Sequence, residues 1–97
     1  MERKAVILNS KDNVATALAD LAAGEVVKME VEKAGIAVTL VDCIPFGHKF
    51  SLSNIKMDSP IMKYGEVIGK ATADIKPGQH VHVHNVASTR GRGDMGK

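Results

Sequence analysis

The sequence predicts a small, mostly β domain with one helix, and three observations carry that prediction. Apolar and polar residues alternate in short runs, as in Val27, Met29 and Val31 against Lys28, Glu30 and Glu32; a period of two is the mark of a half-buried strand. Glycine and proline punctuate the chain at short intervals, cutting it into strand-sized pieces. Only one stretch has helical periodicity: Val14, Ala17, Leu18 and Leu21 fall at i, i+3, i+4 and i+7.

In chain order, Ala5 to Leu8 reads as a short buried strand, and Asn9-Ser10-Lys11-Asp12 reads as a helix N-terminus. The helix built on Val14 is expected to end at Gly24 in a left-handed cap. Val27 to Val31 and Ile36 to Val41 form a hairpin turning at Lys33-Ala34-Gly35. The stretch 42–64 is irregular, broken at Pro45, Gly47 and Ser59-Pro60, with Phe50 and Leu52 alternating against Lys49, Ser51 and Ser53. Residues 66–74 are strand-like, and Lys76-Pro77-Gly78-Gln79 places proline and glycine where a type II turn requires them. Residues 1–88 make one domain, and 89–97, without apolar periodicity, make a flexible C-terminal tail.

Composition narrows the function classes. The net charge is +2, with basic and acidic residues interspersed, so no electrostatic footprint for nucleic acid is present. No run approaches the ~20 apolar residues of a membrane helix, and no secretory core is visible. The single cysteine, Cys43, excludes an internal disulfide framework, and its apolar neighbours Val41 and Ile44 place it in the core. A soluble cytoplasmic domain without nucleic-acid or membrane partners is expected. With two phenylalanines, one tyrosine and no tryptophan, aliphatic residues must build the core.

The chemistry concentrates in the histidines. His80, His82 and His84 alternate with Val81 and Val83, so one extended strand would present all three imidazoles on one face. Residues two apart on such a strand lie within ~7 Å, close enough to share a metal ion. The competing reading is a hydrogen-bonded row on a strand whose Val81 and Val83 face the core. His48 and Lys49 lie in a loop between Gly47 and Phe50; a titratable base beside a fixed cation suits proton transfer next to an anionic substrate. A surface His-Lys pair is the bland alternative.

Three blocks in order, Gly47-His48-Lys49-Phe50-Ser51-Leu52, Met62 to Ala71, and Gly78-Gln79-His80-Val81-His82-Val83-His84-Asn85-Val86, resemble the N-terminal SAF domain of the altronate/galactarate dehydratase family. The same module resembles the small subunit of two-subunit altronate dehydratases and sulfolactate sulfo-lyases. The resemblance implies a β-clip fold, with the segment after residue 88 leading, in fused relatives, into a large catalytic domain. It implies elimination of water from a sugar acid such as altronate or galactarate, or of sulfite from sulfolactate, by a small subunit inactive alone. A large dehydratase-like subunit would be the partner, and would hold most of a divalent metal, iron or manganese. On matching positions, His48 becomes the acid or base, Lys49 the carboxylate partner, and His82, His84 and Asn85 contacts for a small acidic substrate. His82 and His84 would add metal ligands completed by the partner. A stand-alone SAF module that binds carbohydrate without catalysis is the alternative.

Overall fold

The computed structural model describes residues 4–88, and among them the chain forms nine strands and no helix. A four-stranded antiparallel sheet runs in the order β1 (Ala5–Val6), β2 (Val14–Ala17), β5 (Lys49–Ser51), β8 (His80–Val81). Two hairpins extend from it. One is β3 (Val26–Val31) with β4 (Ala34–Thr39), and the other is β6 (Pro60–Lys63) with β7 (Glu66–Ala71), to which β9 (Val86–Ser88) adds an edge. The expected tail over 89–97 lies outside the described residues.

The helix expected from Val14 is replaced by a strand. β2 is paired on both edges, with Ala5 opposite Ala17 on one side and Val14 opposite Ser51 on the other. It is also buried on both faces. Ala15 and Ala17 join a core with Ile7, Leu21, Val27, Leu40, Ile44 and Phe50. Val14 joins a second core with Ile55, Ile61, Ile75 and Val81. A doubly covered strand is apolar at successive positions and loses the alternation that marks a half-exposed one. Its apolar residues then mimic a helical stripe, and tertiary pairing overrides the helix propensity of the alanines. Leu18, which a helical stripe would bury, is exposed.

The β3–β4 hairpin was legible, but its turn lies earlier than Lys33-Ala34-Gly35. Val31 pairs with Ala34 and Glu30 with Gly35, leaving Glu32 and Lys33 as a two-residue loop with φ of 48° and 69°. Two positive φ values are the type I′ signature, whose twist matches that of the paired strands. Tyr64 and Gly65 repeat the device between β6 and β7, with φ of 59° and 73°. There the amides of Tyr64 and Gly65 donate to the buried carboxylate of Asp12, at 3.1 and 2.9 Å.

A repeat unites these parts. Each hairpin is entered and left through a turn that follows a bridged apolar residue: Leu21 bridges Ile44 around the first, and Ile55 bridges Ile75 around the second. After each comes a four-residue turn closed by a backbone hydrogen bond, from Glu25 to Ala22, His48 to Pro45, Ser59 to Lys56 and Gln79 to Lys76. The third position of each turn, Gly24, Gly47, Asp58 or Gly78, has positive φ. The Lys76–Gln79 turn expected from Pro77-Gly78 is one of these four. Asp20 accepts from the amide of Phe46, and Asp74 from that of Met57, tying the paired turns together. Cys43, expected in the core, is exposed beside one of them; the apolar run ends at Ile44, whose bridge to Leu21 turns the preceding residue outward.

Candidate functional site

The repeat delivers one histidine directly. Gly47 closes the turn before β5, so His48 emerges at the start of that strand, while Lys49 opposes Val81 and Phe50 opposes His80 on β8. Since β5 and β8 are antiparallel, His48 and His82 become cross-strand neighbours, the closest arrangement two side chains have across a ladder. Their rings stack with centroids 4.2 Å apart and planes inclined by 19°. His80 lies against both: its ring centroid is 5.1 Å from that of His48 and 5.4 Å from that of His82. Nδ1 of His48 and Nε2 of His80 are 2.9 Å apart, a hydrogen bond whose donor depends on the tautomers.

The three histidines of the third block do converge, though a single strand does not present them. β8 ends at Val81. The Asn85 side chain then takes over the work of the ladder: its Oδ1 accepts from the His82 amide at 3.0 Å and its Nδ2 donates to the His80 carbonyl at 2.8 Å. The Asn85 amide donates to the His82 carbonyl, closing a turn. Asparagine is suited to this because its side chain mimics a peptide group locally. The turn throws Val83 into solvent, where it is 81% exposed instead of facing the core, and brings His84 back against His80 with centroids 5.2 Å apart.

Lys49 points to the other side of β5. It lines a cleft of about 300 Å³ together with Ile61, Ile68, Val81, Val86 and His82. Burial, with the nearby Lys63 ammonium, lowers the Lys49 pKa below its ordinary value. Partial burial, then the neighbouring imidazoles of His48, His84 and His82, lowers the pKa of His80, against the opposing pull of Asp42. Burial, His48, Lys49 and His84 lower that of His82. Charge is therefore disfavoured on these imidazoles, whose neutral forms carry a lone pair for a proton or a metal ion.

Of the residues singled out from sequence, His48, His82 and His84 gather around His80, Lys49 faces the neighbouring cleft that His82 also lines, and Asn85 is 6% exposed and bonded to backbone. His80, read from sequence as part of the histidine row but given no role of its own, is central to the cluster. Two further contributions escaped sequence reading. Lys63 is near Lys49 only through β6. Asp42 accepts from the His80 amide at 3.0 Å and steadies the start of β8. Both are long-range contacts with no local signature.

Comparison with known proteins adds a family match. The family model described as the altronate/galactarate dehydratase SAF domain matches residues 3–89. The chain is 46% identical over 78 residues to an altronate dehydratase of Escherichia coli (strain K12), covering 80% of this chain and 15% of that protein. An altronate dehydratase of Bacillus subtilis (strain 168) matches at 41% over the same share of each. The subunit alpha of a (2R)-sulfolactate sulfo-lyase from Paracoccus pantotrophus is 45% identical over 47 residues, 48% of this chain and 70% of that subunit. The chain thus spans a small part of the dehydratases it resembles. No helix among the described residues is long and apolar enough to cross a membrane.

Proposed function

This chain belongs to the altronate/galactarate dehydratase SAF domain family, and on that premise we propose that it is the small subunit of a two-chain lyase acting on a sugar acid. The reaction class is removal of a proton beside a carboxylate with loss of water from the neighbouring carbon; sulfite is the leaving group in the sulfolactate version. The observation that carries the reading is that His82 joins two features, lining the same cleft as Lys49 and belonging to the close group of His48, His80 and His82. An ammonium with apolar walls and a second cation, Lys63, nearby attracts a carboxylate more strongly than one in open water. The imidazoles supply the complementary need, a site for a proton or for a metal ion that stabilises charge on the deprotonated acid.

The residues present fit the divalent ion that this chemistry calls for. Imidazole nitrogens suit iron, zinc and related ions of borderline softness. In this reading Lys49 holds the substrate carboxylate, His82 and His84 line its approach, and Asn85 positions the turn that carries them. A large dehydratase-like subunit completes the centre. The β-clip fold fits the same reading, supported by the repeated turn, hairpin and turn unit.

The test is reconstitution with a large dehydratase-like chain, followed by an assay of keto-acid formation from altronate, galactarate and sulfolactate. Turnover is expected only when both chains are present, and sulfite release would identify the carbon-sulfur version. Full turnover by the large chain alone, or by this chain alone, would refute the proposal. Binding of a sugar acid by this chain with no turnover in any combination would point instead to a carbohydrate-binding module.

A further inference from the structure

We propose that His48, His80 and His82 form a divalent transition-metal site that this chain fills by itself, without a partner subunit. The sequence pointed to His82 and His84 as shared ligands; the geometry assigns a different set. One ligand nitrogen from each of His48, His80 and His82 lies within 4.8 Å of the others. The His48 Nδ1 to His80 Nε2 separation of 2.9 Å is informative. With metal-nitrogen bonds of about 2.0–2.1 Å, two nitrogens 2.9 Å apart subtend an angle of about 90° at the metal, which is the cis relation of neighbouring ligands.

The scaffold holds two of the three ligands. His80 is anchored on β8 opposite Phe50 of β5, His48 just before β5 is held by its amide donating to the Pro45 carbonyl and its carbonyl accepting from the Ala17 amide, and the His80 backbone is fixed at its amide by Asp42 and at its carbonyl by Asn85. His82 is the ligand that must close in. It stands on the turn fixed by Asn85 and is partly exposed, with a ring nitrogen already within 4.8 Å of those of His48 and His80. Three imidazoles leave further coordination positions open, as in sites where a metal receives water or substrate. The donor set is all nitrogen, so it selects zinc, cobalt, nickel or ferrous ions over magnesium or calcium. His84 is exposed and outside this group. With a metal bound, Nδ1 of His48 is a ligand and not a base, so proton transfer in the lyase would fall to another group.

The competing arrangement is a hydrogen-bonded imidazole pair with a third ring stacked on it, which has no affinity for metal. The metal-free 97-residue chain, titrated with Zn²⁺ by calorimetry and with Co²⁺ by visible absorption, separates the two. One ion per chain, a micromolar or tighter Kd for Zn²⁺, Co²⁺ bands typical of nitrogen ligation and no saturable binding of Mg²⁺ are expected. His48→Ala, His80→Ala and His82→Ala should each weaken Zn²⁺ binding at least about tenfold, since even the residues that merely orient a ligand are worth that much. His84→Ala should change it less than about threefold, within the ordinary scatter of a surface substitution. Circular dichroism checks folding, and His48→Gln, which preserves a polar side chain, must show the same loss. Absence of saturable Zn²⁺ binding, or an equal loss from His84→Ala, would overturn the site. Because binding is measured on this chain alone, failure of the lyase reading leaves the result intact, and the converse holds.

Discussion

Replacing Asn85 by alanine removes two hydrogen bonds that substitute for the missing end of a β-ladder. Oδ1 releases the His82 amide and Nδ2 releases the His80 carbonyl. A net intramolecular hydrogen bond contributes about 0.5–1.5 kcal/mol, and a buried group left unpaired costs about 1–3 kcal/mol. His80 and His82 are only partly buried, so water can reach the released groups and the lower values apply, giving a loss of about 2 kcal/mol. In a domain of this size that corresponds to a fall in Tm of about 8–16 °C. Differential scanning calorimetry or thermal circular dichroism measures it. The change should carry a second signature, a weaker Zn²⁺ affinity, because the turn that positions His82 loosens. Asn85→Asp keeps the acceptor for His82 and loses the donor to His80, and should fall between the two proteins. A Tm within 2 °C of the parent, combined with a raised KM in the reconstituted enzyme, would refute this reasoning and restore Asn85 as a substrate contact; the limit corresponds to less than about 0.5 kcal/mol.

Gly47 and Gly78 have the same φ, 84°, but a Cβ at Gly47 meets open space whereas one at Gly78 overlaps the Thr39 carbonyl. Gly47→Ala should cost about 1–2 kcal/mol from the left-handed backbone alone, and Gly78→Ala about 1–3 kcal/mol more from displaced backbone; equal chemical denaturation midpoints would contradict the difference. In the metal-free chain, the lowered pKa values of His80 and His82 mean that the unfolded chain binds protons at higher pH than the folded one. Stability is therefore fully present above the ordinary imidazole pKa of about 6.5 and is lost as pH falls toward the lowered values. The Tm should drop on going from pH 7.5 to about pH 5.5, and a His80→Gln, His82→Gln variant should flatten that slope; an unchanged slope would dismiss the histidines as its source. Lys49→Met removes an ammonium held among apolar side chains. It should leave the Tm unchanged or raise it by up to about 6 °C, about 1 kcal/mol, while raising KM for the acid in the two-chain complex about tenfold or more. A fall in Tm with unchanged KM would make Lys49 structural.

Much of the fold was legible because its signals are local. The alternation in β3, the Pro77-Gly78 turn and the spacing of His80 and His82 each need only a few neighbouring residues. β2 was misread because burial on two faces produces apolar residues in sequence without a period of two, and Val14, Ala17, Leu18 and Leu21 then satisfy a helical template by coincidence. The type I′ turn at Glu32-Lys33 was placed late for a different reason. Neither residue favours positive φ, and the pairing of six residues on each side decides the loop. Cys43 was assigned to the core from its neighbours, yet one position separates it from the buried Ile44, and in an extended chain one position reverses the direction of a side chain.

The sequence by itself determined a β-rich chain cut by turns, a concentration of histidine near Asn85, and three blocks that resemble the SAF domain of the altronate/galactarate dehydratase family. Those properties rest on residue types and short spacings. Only the tertiary structure decided that His48 meets His80 and His82, because that meeting depends on the antiparallel register of β5 against β8, across more than thirty intervening residues. It also decided that Asn85 turns inward to backbone and that Val83 turns outward, since β8 stops after Val81. A periodic pattern states which side chains would share a face if a strand continued. Where the strand ends is set by which hydrogen-bond partners the rest of the fold brings to its edge.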